Sequence, residues 1–293
     1  LPVASAALVS VGLWASPSLA KDPFRTTNAR SISPATEAAF QALFRQGNYT
    51  KAAKDLNQAD ANEPLTQALR ASLAYTDWQG ASADQRDARL DQFRIYAAQT
   101  RQTAQAMLQK DPLRGNLYLA VGHFLESAYI FSKDGTVKGT PQVLGQIQQA
   151  FKYLDAAEAA SPNDPELSLI KGYMDLFVAL NLPFSSPSQA IERLDKYAAP
   201  RYLANRGIAL GYRDLNQPDK ALVAIEQAIQ ESSGNPELLY LKAQILVRQG
   251  NNRDSITWFQ QALQKGDQLP AGMRKQIQRE LGRAQQRSKN VGQ

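Results

Sequence analysis

Small and apolar residues recur with a period of 34 residues towards the C-terminal end of the chain. Five positions return in the same order, because Ala209, Tyr212, Ala221, Ile225 and Ala228 are followed by Ala243, Leu246, Ser255, Phe259 and Ala262. Within each of the two helices of a unit these positions lie three or four residues apart, as they do on one face of a helix. A period of this length predicts a helix–turn–helix unit that is repeated and stacked.

The same pattern of turns and prolines between predicted helices extends towards the N-terminus. The first unit has its turn at Gly47–Asn48–Tyr49, and the third unit ends at Pro162. A last stretch, about 271–288, has apolar residues at helical spacing and predicts a cap. We therefore predict an all-α fold, a right-handed α-solenoid of about six helical hairpins over residues 34–265, with a C-terminal capping helix within 270–289.

The pattern of small, apolar and aromatic positions, closed by proline, resembles the tetratricopeptide-repeat (TPR) family over about residues 34–265. This resemblance implies a concave wall that binds proteins or peptides. The stretches KYAAPRYLANRGIALGYRDL and NLPFSSPSQAI also resemble uncharacterised exported cyanobacterial TPR proteins, a group that brings no known activity. The carboxylate-clamp residues that some TPR proteins use to bind chaperone tails have no counterpart in this sequence.

The middle of the solenoid departs from the repeat. In a regular unit the small residue of the first helix lies 12 positions before the small residue of the second helix, as Ala209 does before Ala221. In the third unit this gap is 28 positions, from Gly122 to Ala150. We therefore predict enlarged units over 67–198, with loops at 132–141 and 181–187. The ends of their first helices predict an apolar lip that could bind a partner or a membrane surface; the alternative is that these ends bury one another. Its residues are Tyr129, Phe131, Leu180, Leu182 and Phe184.

Helical spacing places a set of aromatic and charged side chains on the concave wall. Aromatic residues and arginines are the usual anchors of protein interfaces. The wall therefore predicts a groove that binds an extended or helical peptide, and the arginines in the C-terminal half of the wall favour an acidic peptide there. The alternative is that about half of these residues pack between repeats. The set is Arg45, Tyr75, His123, Glu126, Tyr173, Phe177, Arg206, Arg213, Tyr240 and Arg248. Within it, His123 and Glu126 could form a pH-sensitive contact or lie on a plain helix surface.

The first residues read as an export signal whose basic start is missing. Val3 to Trp14 is uncharged, and Ser18-Leu19-Ala20 resembles a cleavage site. We predict a signal peptide over 1–20 and a flexible lead-in over 21–33, with an uncleaved anchor or a buried helix as alternatives. The protein would then be exported to the periplasm or the thylakoid lumen.

Charge and composition limit the classes of partner and of activity that we expect. The formal charge is +6, and most of it lies in the predicted cap, which suits an acidic protein or anionic lipid. The basic cap residues are Arg274, Lys275, Arg279, Arg283 and Arg287. Nucleic acid is the least favoured partner, because an exported protein rarely meets it. The chain has no cysteine and one histidine, and it lacks the common catalytic motifs.

We therefore expect no enzyme activity, metal, cofactor or small-molecule substrate. The leading hypothesis is a protein-binding adaptor for assembly of an envelope or membrane complex. The alternative is a permanent structural subunit of a membrane-associated complex. An enzyme of unfamiliar type is the third class.

Overall fold

The chain is built from helices joined by short turns. The computed structural model describes residues 21–181 and 187–290, with no side-chain detail for 136–138, 181 and 290. A π-helical turn, Gln41–Arg45, extends α1, and a 3₁₀ turn, Gly266–Gln268, precedes α12. The α-helices of this part of the chain are α1 (Pro34–Phe40), α2 (Tyr49–Leu56), α3 (Pro64–Gly80), α4 (Arg86–Met107), α5 (Pro112–Ala160), α6 (Pro165–Asn181), α7 (Pro187–Tyr197), α8 (Arg201–Asp214), α9 (Pro218–Glu231), α10 (Pro236–Arg248), α11 (Asn252–Gln264) and α12 (Ala271–Asn290).

Proline and short polar side chains set where the helices begin. Proline occupies the first turn of α1, α3, α5, α9 and α10, where its missing N–H leaves no bond unmade. Asn48 caps α2 by accepting the N–H of Lys51 at 2.9 Å, and Asp111 caps α5 by accepting that of Arg114 at 3.1 Å. These caps satisfy donors that the first turn of a helix cannot satisfy itself.

Successive helices pair into hairpins, which confirms the predicted all-α solenoid. Each helix contacts the next along the chain from α1 to α12. The small positions of the 34-residue repeat are fully buried at Ala209, Ala221, Ala243 and Ala262, with Phe259 beside them. Small side chains let paired helices approach closely, and the large ones fill the space between hairpins.

The predicted loop at 132–141 is wrong. These residues are helical within α5 except at Gly135, whose φ of 69° lies in the left-handed region that favours glycine. The chain reverses there, since His123 contacts Gln146 and a Cβ on Gly139 would lie 3.4 Å from Ile130. A single residue therefore makes the turn for which the sequence predicted a loop of ten residues.

The solenoid closes on itself. The carbonyl of Arg45 in the first unit accepts hydrogen bonds from Ser232 and Asn235, which precede α10. The start of α12 also meets the end of α3, where a Cβ built on Gly272 would lie 3.2 Å from the Cα of Gly80. The first two units therefore pack against the last unit and its cap, and we call the space between these units and the middle helices the interior.

The segment predicted as a flexible lead-in instead packs into this interior, and we call residues 21–33 the strap. Phe24 and Ile32 are buried among apolar side chains of the first unit. Asp22 and Arg25 are buried as well, at 8% exposure each. The prediction of a flexible segment failed because the sequence of a short polar stretch does not show which distant residues it contacts in the fold.

A buried ion cluster holds the strap. The guanidinium of Arg25 donates two hydrogen bonds of 2.7 Å to Asp164 and lies 2.9 Å from Glu166 and 3.0 Å from Asp22. Glu166 is fully buried, forms a second ion pair of 3.1 Å with Arg114, and accepts the hydroxyl of Tyr118 at 2.6 Å. Burial disfavours the charge of Arg25, yet the three carboxylates hold its pKa above the ordinary value.

Substitution of Gly272 tests the closure between α12 and α3. Gly272→Val should lower the free energy of unfolding by roughly 1–3 kcal/mol, because backbone atoms of Gly80 leave no room. Gly282→Val in the same helix is the control, since nothing lies within 4 Å of a Cβ there. Urea unfolding followed by circular dichroism measures both, and equal losses would contradict this view of the closure.

Removal of Arg25 tests the ion cluster. Arg25→Ala should destabilise the chain by about 3–5 kcal/mol, because Asp164 and Glu166 would be left buried without their partner. Arg94→Ala is the control, because Arg94 pairs with Asp91 on the surface and such pairs contribute about 0–1 kcal/mol. Thermal and urea denaturation distinguish the two, and a loss of only surface-pair size for Arg25→Ala would argue against the cluster.

Candidate functional site

An apolar pocket of about 410 Å³ lies in the interior, between the first unit and helices α3, α5, α6 and α8. Phenylalanine rings form much of its wall, since Phe24 and Phe44 each contact Phe40 edge-on at 5.0 Å between ring centroids. On the other side, Phe124 and Phe177 meet edge-on at 5.2 Å. Phe177 is half exposed and lies at the pocket surface.

The polar groups around this pocket already have partners within the protein. The hydroxyl of Tyr173 donates to the carbonyl of Leu203 at 2.7 Å, and burial raises the pKa of Tyr173 to about 12. The guanidinium of Arg206 pairs with Glu237 at 2.7 Å. The surface that remains for a ligand is therefore apolar, and it suits a bulky hydrocarbon group.

A second cavity, which we call the arginine cleft, has a volume of about 340 Å³ and lies between α8, α10 and α12. Arg213, Arg248, Arg283 and Arg287 line it, with Glu280 as the carboxylate among the lining residues. Arg213 is held by Asp214 at 2.7 Å and Gln244 at 2.8 Å. Within residues 21–181 and 187–290, the structure gives no ion pair to the other three arginines.

Glu280 fixes the cap against α10. Its carboxylate accepts the hydroxyl of Tyr240 at 2.8 Å, the amide of Gln244 at 3.0 Å and that of Gln276 at 3.2 Å. Burial, together with the hydrogen bond from its hydroxyl to Glu280, raises the pKa of Tyr240 above its ordinary value. Because Glu280 is engaged by these three donors, it orients α12 so that Arg283 and Arg287 face the cleft.

The pocket and the cleft are neighbours along α8. Arg206 lines the pocket and Arg213 lines the cleft. The two residues are seven positions apart, so they lie on the same helix face about 10 Å from each other along the axis. One extended segment of a ligand could therefore reach both.

Of the predicted groove residues, the structure brings five to these two cavities. They are Tyr173, Phe177 and Arg206 at the pocket and Arg213 and Arg248 in the cleft. Tyr240 lies beside the cleft through its bond to Glu280. These assignments place the residues together; whether they bind a partner stays a prediction.

Four predicted groove residues lie elsewhere. Tyr75 packs against Trp78 and Phe93 at centroid distances of 5.4 and 5.1 Å. His123 stacks on Tyr153 at 5.4 Å, with its Nδ1 2.7 Å from Gln146 Oε1. Helical spacing failed for these side chains because the longer middle helices present a second face to their hairpin partners.

The contact proposed between His123 and Glu126 is not formed. Glu126 pairs instead with Arg101 at 3.6 Å. Burial lowers the pKa of His123, with Arg101 acting in the same direction. Arg45 lies on the polar side of the closure, in a cleft of about 620 Å³ lined also by Glu37, Glu231 and Lys265.

The predicted apolar lip is only partly visible. Leu182 and Phe184 lie outside the described residues. Tyr129 is buried in a cluster with residues of α3 and α4, so it belongs to the core and not to a lip. Phe131 is half exposed and Leu180 is partly buried, and no hydrophobic cluster of the described residues joins them to each other.

The predicted basic cap corresponds to α12, and its basic residues lie on different faces of this helix. Arg274 reaches the carbonyl of Gly266 at 3.4 Å, while Lys275 and Arg279 are exposed and do not line the cleft. Only Arg283 and Arg287 of this group meet the groove arginines. The sequence thus predicted two separate basic sites where the structure places one cleft.

The residues missed by the sequence are those of the strap and first unit, above all Phe24, Phe40 and Phe44. The one available signal was the pairing of a phenylalanine with an arginine at positions 24 and 25 of an otherwise polar stretch. Among the described residues, no group of three or more His, Asp or Glu side chains is placed to hold a metal. No described helix has both the length and the apolarity to cross a bilayer.

The fold defines the class of protein as an α-solenoid of helical hairpins. Residues 212–274 match the family model of the tetratricopeptide repeat, which confirms the TPR prediction for the segment from the end of α8 to the start of α12. No curated protein is significantly similar to the sequence.

Among solved structures, one similar chain is in the crystal structure of the APC/C hetero-tetramer Cut9–Hcn1, with 17% identity and a TM-score of 0.38. The similarity covers 86% of this chain but 55% of that one, so the present chain spans about half the length of the chain that it matches.

Proposed function

We propose that the protein is a non-enzymatic scaffold that binds an acidic segment of a partner protein in its concave interior. The observation that carries this proposal is the arginine cleft, in which Arg248, Arg283 and Arg287 converge without ion pairs among the described residues. The guanidinium group donates two parallel hydrogen bonds to a carboxylate. Three such groups in one concave site therefore favour aspartate or glutamate side chains, or a terminal carboxylate.

The neighbouring pocket adds an apolar anchor to the same segment. A pocket whose polar groups are already paired gains most from a ligand group that needs no hydrogen bond, such as a phenylalanine or leucine side chain. An extended peptide advances about 3.3 Å per residue, so the separation of about 10 Å along α8 corresponds to three residues. The preferred ligand therefore has a bulky apolar residue about three positions from its first acidic residue.

We place this activity in the periplasm or the thylakoid lumen, where the scaffold would hold a partner during assembly of an envelope or membrane complex. The support for export is the apolar run and the Ser18-Leu19-Ala20 sequence that precede the strap. The resemblance to exported cyanobacterial proteins points in the same direction and stays a prediction.

Charge reversal tests the arginine cleft. The triple change of Arg248, Arg283 and Arg287 to Glu should weaken binding of a fluorescein-labelled peptide by tenfold or more, about 1.4 kcal/mol. The peptide has one phenylalanine, a Gly-Ser spacer and four glutamates, and fluorescence anisotropy gives its Kd. The control changes Lys54, Lys110 and Lys152 to Glu, which alters the net charge equally at exposed positions outside both cavities. Equal weakening by both triples would show non-specific attraction and contradict the site.

Two half-exposed phenylalanines distinguish the pocket from the lip. Phe177→Ser should weaken the same peptide several-fold, because it removes one wall of the pocket, whereas Phe131→Ser should leave binding unchanged. Both side chains are 50% exposed, so the two variants lose similar amounts of covered surface. A peptide with glycine in place of phenylalanine should bind the Phe177 variant and the unchanged protein alike. Weaker binding only after Phe131→Ser would transfer the apolar site to the predicted lip.

A further inference from the structure

The backbone nitrogen of Lys21 contacts a carboxylate. Its N–H donates to Glu37 Oε2 at 2.7 Å. Glu37 lies in the first turn of α1, 16 residues further along the chain. Lys21 is also the residue that follows Ser18-Leu19-Ala20, the sequence that resembles a cleavage site.

The strap is bound from its first residues onwards. The carboxylate of Asp22 accepts the backbone N–H groups of Phe24, Arg25 and Arg30 at 2.9, 3.3 and 2.7 Å. Arg25 then enters the buried ion cluster, and Phe24 lines the apolar pocket. The fixed structure of the strap therefore begins within one residue of the expected cleavage point.

We propose that the chain is cut between Ala20 and Lys21, and that the α-ammonium group released at Lys21 forms an ion pair with Glu37. In this step an endopeptidase of the signal-peptidase class uses water to break the peptide C–N bond. The hydroxyl adds to the carbonyl carbon of Ala20, one proton goes to the nitrogen of Lys21, and the resulting amine takes a further proton from solvent. The inference concerns maturation and does not depend on peptide binding in the groove.

The ion pair is a stronger contact than the hydrogen bond it replaces. The backbone N–H of Lys21 already bonds to a carboxylate, and the α-ammonium adds the attraction of a full positive charge for the negative charge of Glu37. The other charged groups that face Glu37 across the polar cleft are Arg45, Glu231 and Lys265, and Asp22 faces inwards. The mature N-terminus is thus a fixed part of the fold, and it holds in place the strap that lines the apolar pocket.

The pairing has a definite pH dependence. An unperturbed α-amino group has a pKa near 8, and its partner Glu37 stabilises the charged form in the folded state. The contribution to stability is therefore fully present below about pH 8 and is lost as the pH rises through the higher pKa of the folded state. A backbone amide at the same place would show no such change.

The first test identifies the terminus. The protein is expressed from its own gene in its host, and the purified protein is analysed by N-terminal sequencing and intact mass. The expected first residue is Lys21. A different first residue, or an uncut chain, would overturn the proposal.

The second test measures the pair itself in two purified forms, a chain that begins at Lys21 and the uncut chain of residues 1–293. At pH 6.5, Glu37→Gln should lower the melting temperature of the first form by about 2–4 °C and that of the second by clearly less. At pH 10 the difference between the forms should vanish. Asp84→Asn, which removes one exposed carboxylate, is the control and should affect both forms equally. Equal losses for Glu37→Gln in both forms and at both pH values would overturn the ion pair.

Discussion

The burial of Arg25 is the constraint on which the rest of the structure depends. A guanidinium cannot leave water unless carboxylates replace its hydration, and Asp164 and Glu166 at the start of α6 do so together with Asp22. Because Glu166 also pairs with Arg114 in the first turn of α5, the same cluster fixes two hairpins relative to each other. Phe24 is adjacent to Arg25, so it is drawn into the apolar interior.

Closure of the solenoid follows from contacts that only small residues permit. Gly47 adopts a φ of 63° and lies against Asn235 and Pro236, where a Cβ would come within 2.5 Å of the asparagine side chain. Gly80 and Gly272 bring α3 and α12 together in the same way. An open solenoid would offer one long groove, whereas here two separate cavities lie along α8, the apolar pocket beside the first unit and the arginine cleft beside the cap.

The sequence predicted what depends on local periodicity and missed what depends on the path of the superhelix. The 34-residue repeat located α8 to α11, because buried alanines and helix-starting prolines recur at a fixed period, and the helical spacing of apolar residues located the cap. It could not place Phe24 or the contact of Gly272 with Gly80, since these join segments more than a hundred residues apart. Tyr75 and His123 were assigned to the groove because one helix face was considered, although in longer helices another face packs on a partner.

The arginine cleft shows how two incomplete predictions become one site. Arg213 and Arg248 were assigned to the groove and Arg283 and Arg287 to the basic cap, so the sequence did not bring the four guanidinium groups to one site. Glu280 joins them, because it binds Tyr240 and Gln244 of α10 and so turns α12 towards the groove. Arg248, Arg283 and Arg287 have only the carboxylate of Glu280 beside them in the cleft, so positive charges outnumber negative ones and repel one another there. A carboxylate ligand relieves that repulsion, and its binding should therefore be coupled to the stability of the cap and, through α12 and α3, to the closure of the ring.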